Sequence, residues 1–462
     1  MRKKILNGEG LIHRPIGAGL LILAMQVVAA SGLFAEPVSL EQVRSLALAN
    51  SRSLAKYDLS IRSTALDEQS RVYSNLPSLS LGASASMSLW SAENAAPIEN
   101  PFDTFRAGAS FSVSQRIFEG GKTLVEKAIN ELKSESARKD ALAEYFNVLD
   151  TADSAYYAVL EASATLEAAE SSLMTVMTSL SIAEIRQATG MLNQGDYLKA
   201  LADKESSENS RNQARRNLSL AITKLKAITG FPGAIEPEDI DFSGYEGLIG
   251  HLGNSSDEDS DLLYSEFWKH LSVSNPSLAK ASLARSQAEK SVSLSKRAYS
   301  PSLSASFSTG LNYTQADGLQ RSGGSLSLSA SIPIDFWAKA NSVEKSKIAM
   351  ESSALDYMGR ESDLETELQS ALINILTQAE SVISSNRVLE YAEKHFEFIM
   401  ERYRLSQSSV SELGDATTLL ITSRNSQIKA RFGFLQGLSK LRSLIAIDDE
   451  EKLLDMLSGK SI

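Results

Sequence analysis

Few residues of this 462-residue chain are spaced for chemistry. Phe118-Glu119-Gly120-Gly121-Lys122-Thr123 ends like a phosphate-binding loop, but Arg116 stands where that loop needs its first glycine. The histidines are His13, His251, His270 and His395, and no two fall at i, i+4 to share a metal from one helix. The many serines lack a Gly-x-Ser-x-Gly elbow. With no cysteine at all, disulfides, thiolate metal sites and cysteine nucleophiles are ruled out. Asp257-Glu258-Asp259-Ser260-Asp261 could offer oxygens to a cation, yet such an acidic run reads better as solvated linker. Glu412 and Asp415 are three residues apart and share one face of a helix, where near a turn they suit the helix dipole. No enzyme is implied, and no cofactor or metal.

The elements around these residues are more informative. From Tyr299 to Phe336 the sequence alternates: Leu303, Ala305, Phe307, Thr309, Leu311 and Tyr313 on one face, serines, Gly310 and Asn312 on the other. A polar loop follows, and the return arm sets Leu326, Leu328, Ala330, Ile332 and Ile334 against four serines. Period-two alternation predicts a hairpin with one apolar and one small polar face. An earlier stretch repeats it, with Leu79, Leu81, Ala83 and Ala85, then Ala107, Ala109, Phe111 and Val113. The strands are expected at about 78–90, 105–117, 302–313 and 325–335, each about the length that crosses a bilayer when tilted. No charge falls on the four apolar faces as so bounded, as lipid exposure requires. A soluble sandwich hairpin has the same alternation.

Between the hairpins lie helices. Lys122 to about Thr189 contains no proline or glycine, and Leu142, Tyr145, Leu149, Ala152, Tyr156, Val159, Leu166, Leu173, Met177 and Leu180 keep a three-four spacing. Such a helix would extend about 100 Å and needs a coiled-coil-like partner. Leu368, Leu372, Ile375, Ala379, Val382, Leu389, Phe396, Met400 and Tyr403 form a second seam. Long helices are predicted at about 122–189, 194–229, 339–405 and 411–447. Pro77-Ser78-Leu79-Ser80 recurs as Pro301-Ser302-Leu303-Ser304, and the order helix, hairpin, long helix, turn, helix occurs twice. That is an internal duplication. The division expected is a signal peptide over 1–35, repeats over 36–235 and 262–450, an acidic glycine-rich linker over 236–261, and a tail over 451–462. The signal rests on Arg2, Lys3, Lys4 and Arg14 ahead of the apolar run Ile16 to Ala30. A formal net charge of −11 argues against a nucleic-acid partner.

These features resemble the outer membrane efflux protein family, the TolC-like channels. The resemblance covers nearly all of the chain after residue 35. Its anchors are the two Pro-Ser-Leu-Ser strand starts, Phe118-Glu119-Gly120-Gly121-Lys122, Ile228-Thr229-Gly230 and Asp415-Ala416-Thr417-Thr418-Leu419. It implies a mainly α protein with a small β part: duplicated long-helix hairpins forming an α-barrel, and four transmembrane strands per chain that close a trimeric twelve-stranded β-barrel. It further implies the cell outer membrane as location, a homotrimer, a periplasmic adaptor and an inner-membrane pump as partners, and passive passage of exported substrates. The alternative is a periplasmic coiled-coil scaffold without a pore.

For the site, the resemblance places a gate at the helix turns. Asp196 and Tyr403 match positions linked in the closed family channel, and Glu412 and Asp415 match two acids that narrow its mouth. Repeated threefold, these would make a carboxylate ring favouring cations. Ser408 stands where the family has an arginine, so the expectation is a looser latch or a lock supplied by another residue.

Overall fold

The computed structural model describes residues 37–90, 97–98, 100–233 and 235–459. The expected signal segment, 1–35, lies outside them. In chain order the elements are β1 (Pro37–Val38), α1 (Leu40–Asn50), α2 (Arg52–Tyr73), β2 (Ser78–Ser86), β3 (Arg106–Phe118), α3 (Lys122–Ala188), α4 (Gln194–Thr229), β4 (Glu236–Pro237), α5 (Ser243–Leu252), α6 (Asp257–Ser274), α7 (Pro276–Lys296), β5 (Ser302–Thr314), β6 (Gly318–Ser331), α8 (Phe336–Arg404), α9 (Val410–Ile445) and α10 (Glu450–Leu457). They form two compact units. Of the described residues, one holds those within Tyr57–Lys139 and Lys280–Gly359; the other holds those up to Lys56, within Asp140–Ala279 and from Arg360 onward. Each unit therefore draws on both sequence repeats.

The first unit is built on an antiparallel sheet of order β2-β3-β5-β6. Its register sets Leu81 against Phe111, Val113 against Phe307 and Ala305 against Leu328, so the predicted apolar rows meet on one face. That face is bare: Leu81 is 82% exposed and Leu326 81%. On the other face small hydroxyls pair across strands, as in Ser80–Ser112 at 2.6 Å and Ser308–Ser325 at 2.8 Å.

Three expectations need correction here. β6 begins at Gly318, well before 325, so the polar loop is strand capped by a tight turn. Asp317 accepts from Thr314 Oγ1 at 3.0 Å, its own amide donates back at 3.1 Å, and Gly318 supplies the left-handed φ of +68°. Ser322-Gly323-Gly324 has no large side chains to show alternation, and the register shifts opposite it between Ser308 and Gly310. The longer strand also puts Arg321 opposite Leu311, so the apolar face does carry one charge. β2 is shorter than expected, ending at Ser86.

The Phe118-Glu-Gly-Gly-Lys stretch is the corner between β3 and α3. Gly120 and Gly121 have φ of +64° and +73°, and a Cβ on Gly120 would lie 2.1 Å from that of Ser300. Arg297 donates to the Gly120 carbonyl at 2.8 Å. Backbone conformation, not phosphate, requires these glycines.

The second unit is helical. Ser39 caps α1 in a capping box with Gln42; α1 ends at Asn50, and Ser51 Oγ accepts from the Leu54 amide to start α2. The α8 seam is buried from Leu364 to Tyr403, with Phe396 partly so. On α3, Tyr145, Leu149, Ala152, Tyr156, Val159 and Leu173 are buried, whereas Met177 faces outward. Segment 236–261 is more than a linker. Pro37 and Val38 pair in parallel with Glu236 and Pro237, and α5 and the start of α6 follow, with Ile249 and Leu252 buried. Within 451–462, the described residues are not a loose tail: α10 buries Leu453, Met456 and Leu457.

Holding these pieces together is a buried ion network that no local pattern announces. Asp153 on α3 is fully buried and accepts from Arg44 at 2.6 and 3.0 Å, Arg442 at 2.8 Å and Ser439 at 2.9 Å. Glu450 at the head of α10 takes the second side of Arg44 at 3.2 Å. Burial works against the Arg44 charge, but bonding and attraction to Asp153, with Glu450, more than offset it and raise its pKa. Tyr245, which donates to Glu450 at 3.3 Å, is pushed up to about 12, mainly by burial. Removing one partner strands the other charges in low dielectric. Asp153→Ala should therefore cost about 3–5 kcal/mol, read as a lower urea midpoint of the helical circular-dichroism signal, whereas the same substitution at exposed Asp415 should leave the midpoint in place.

Candidate functional site at the paired helix turns

The two turns that close the long helix pairs are built alike. Met191 N donates to Arg186 O at 2.8 Å, and Gln407 N donates to Arg402 O at 2.7 Å, each joining residues five apart and each pair 216 positions from its counterpart. Gly190 supplies φ +74° in one turn and Ser406 φ +60° in the other. Asn193 then caps α4 by accepting from the Asp196 amide at 2.8 Å, as Ser409 caps α9 by accepting from the Glu412 amide at 3.1 Å. The acid closes the motif each time: Asp196 Oδ2 accepts from Asn193 Nδ2 at 2.8 Å, and Glu412 Oε2 accepts from the Ser409 amide at 3.1 Å.

Asp196 and Glu412 are thus equivalent helix-capping acids. Ser408, buried, donates its hydroxyl to Glu412. That bond, the Ser409 amide and the Arg402 charge together hold the Glu412 carboxyl below its ordinary pKa. Asp415 lies one turn further along the same exposed face of α9.

Tyr403 is only 1% exposed, packed among Ala183, Ala200, Leu413 and Ala416. No hydrogen bond joins it to Asp196. Its ring is covered instead by the Arg186 guanidinium, 4.8 Å from the ring centroid. Burial pushes the Tyr403 hydroxyl up, while the Arg186 charge pulls it back and Asp196 adds to the rise. Arg186 Nε and Nη1 are buried without a hydrogen-bond partner. The arginine that lies over Tyr403 therefore comes from the end of α3. Sequence reasoning missed it because Arg186 reads as an ordinary basic residue in a last helical turn; the tandem equivalence with Arg402, which lies over Phe398, was the available signal.

The two helix pairs meet here as well. Lys199 Nζ on α4 donates to Ser411 Oγ on α9 at 3.0 Å. Behind the turns a cavity of about 260 Å³ is bordered by Ser172, Asp203, Ser207, Tyr403, Leu413 and Arg424. Among the described residues no cluster of three or more His, Asp or Glu side chains could hold a metal, and no helix is long and apolar enough to cross a membrane.

Long helix pairs closed by tight turns, with an amphipathic four-stranded sheet, define an outer-membrane channel of the tunnel-forming class. The chain belongs to the outer membrane efflux protein family, whose model matches residues 43–231 and 269–446. It is 23% identical over 412 residues to the outer membrane protein TolC of Escherichia coli strain K12, spanning 84% of this chain and 78% of that one. Its fold is similar to the outer membrane channel CmeC of Campylobacter jejuni, with TM-score 0.70, 16% identity and coverage of 91% and 89%. It is also similar to the outer membrane protein VceC of Vibrio cholerae, with TM-score 0.70, 15% identity and coverage of 88% and 95%. The protein is an outer-membrane efflux channel, of a transport rather than an enzymatic family.

Truncating Arg186 tests whether this contact holds the turns together. Arg186→Ala removes a cation–π contact worth about 0.5–2 kcal/mol and should raise the open fraction of single channels in planar bilayers by several-fold, while Arg402→Ala should change it far less. Equal effects would count against the assignment.

Proposed function

We propose that three copies of this chain close one twelve-stranded barrel and that their long helices continue the duct across the periplasm to a gate at the paired turns. The observation that carries this reading is the sheet of the first unit. It has an exposed apolar face of bilayer length and two strands, β2 and β6, whose outer edges pair with nothing among the described residues. Hydrocarbon cannot satisfy such edges, and closure between chains removes them. The serine faces would then line a wide wet lumen. A periplasmic scaffold would leave the bare apolar face unexplained.

In this reading the two repeats, 36–235 and 262–450, each give one strand hairpin and one helix pair. Substrates pass from an inner-membrane pump, through contacts made with a periplasmic adaptor, to the exterior. Arg186 over Tyr403 keeps the turns closed at rest, and opening separates them. Glu412 and Asp415, exposed on one face of α9, would repeat around the threefold axis as six carboxylates; the capping bonds of Glu412 leave its charge in place.

The barrel reading is tested by placing a charge in the lipid. Leu81→Arg or Leu328→Arg should cost roughly 2–4 kcal/mol near the midplane and abolish the membrane-inserted trimer; normal insertion of both variants would sink the reading. The ring is tested separately, since Glu412→Ala with Asp415→Ala should lower cation preference in the reversal potential of planar bilayers under a salt gradient. Unchanged selectivity would remove both from the gate.

A further inference from the structure

Among the described residues one charged side chain lies on the apolar face of the sheet: Arg321 of β6. The ladder sets it opposite Leu311, which in turn faces Ala109 on β3, while Leu319 pairs with Tyr313 one step nearer the turn. Arg321 is exposed, and no hydrogen bond or ion pair ties its guanidinium to another described residue. Every other outward position of the four strands is apolar or neutral.

Its height is fixed by the register. Arg106, Thr314 and Gly318 mark the turn end of the ladder. Arg321 lies three residues in from Gly318, about 10 Å along the strand and less along the membrane normal after tilt. Phe105 and Tyr313 meet edge to face at that end, ring centroids 6.2 Å apart, where an aromatic belt would sit. The stacked Tyr299–Phe336 pair and exposed Trp337 lie at the opposite end, beside the helices. Arg321 is thus just inside the belt farther from the helices, the belt of the outer leaflet, and its long side chain can carry the charge up to the headgroups.

The strand of an adjoining copy would bring no acid beside it. The strand that would pair with the free edge of β6 is β2, whose outward residues are Leu79, Leu81, Ala83 and Ala85. A guanidinium at headgroup depth with no acceptor among the described residues fits a phosphate, which it can bind through two parallel N–H donors. We propose that Arg321 binds the phosphate of an outer-leaflet lipid headgroup, one site per chain. This rests on the apolar face being lipid-facing, as argued above.

The test is retention of lipid A by the full chain in phosphatidylcholine nanodiscs doped with lipid A, counted by native mass spectrometry. Wild type should retain about tenfold more than Arg321→Gln, the effect of losing a hydrogen bond to a charged group, with Arg321→Lys in between. Dephosphorylated lipid A should be retained equally by all three, and excess inorganic phosphate should not displace the lipid. Equal retention of lipid A by inserted wild type and Arg321→Gln would overturn the site and leave the channel reading intact. Displacement by inorganic phosphate would mark a free-anion site and overturn the lipid assignment. A wild-type chain that fails to insert would overturn the lipid-facing sheet and this site with it.

Discussion

A sheet edge in hydrocarbon leaves a row of amides and carbonyls with nothing to bond, at several kcal/mol for each unsatisfied group. That constraint governs this protein. One face of the sheet carries Leu79, Leu81, Leu326 and Leu328 in the open, so the sheet is suited to lipid, yet β2 and β6 end it on both sides. Water would satisfy the edges and reject the face; lipid would accept the face and reject the edges. The proposed assembly with further copies would resolve both demands. The short hydroxyl side chains of the opposite face then have a purpose, because they satisfy one another across strands while occupying little of the space they border.

The helical unit solves a different problem, that of fixing elements far apart in sequence to one long helix. Asp153 bonds residues 109 and 289 positions away, and Arg44 reaches Glu450 across 406 positions. A carboxylate this deeply buried is tolerable only when its acceptor sites are filled, and two arginines and Ser439 fill them. Tyr156 does similar work beside it, donating to the Glu238 and Val38 carbonyls at 2.6 and 3.3 Å, where β1 and β4 pair. The segment before α1, the stretch between the repeats and the last helix are thereby held to the same part of α3.

What could be read from the sequence follows from how local each signal is. Strand alternation, the Ser39 cap and the α8 seam each need only neighbours within a few residues, and all three are in the structure. The α3 seam was legible for most of its length and failed at Met177, because a 67-residue helix drifts about 20° per heptad against a straight stripe. The 236–261 segment reads as linker by composition, since its glycines and acids outvote the few apolar residues that α5 buries. At the turns, residue types revealed the acids, but nothing local reveals that the Arg186 side chain covers Tyr403 of the other repeat. The Asp153 network was invisible for the same reason: its partners share no spacing.

Duplication gives the two turns the same skeleton and, at one decisive point, different contents. Both repeats keep the backbone bond from the arginine carbonyl, the left-handed residue, the capping side chain and the acid that closes the cap. They differ in what each arginine finds. Arg402 stays within its own turn, over Phe398 and donating to the Gln407 carbonyl at 2.9 Å. Arg186 crosses to the other repeat and covers Tyr403, while Ser408 takes up Glu412 where the family resemblance led one to expect an arginine. The capping bonds shape each turn by itself and are indifferent to whether the turns are together. The Arg186–Tyr403 contact, like the Lys199–Ser411 bond, exists only while they are, so under the proposed gate these cross-repeat contacts are the ones that would change on opening.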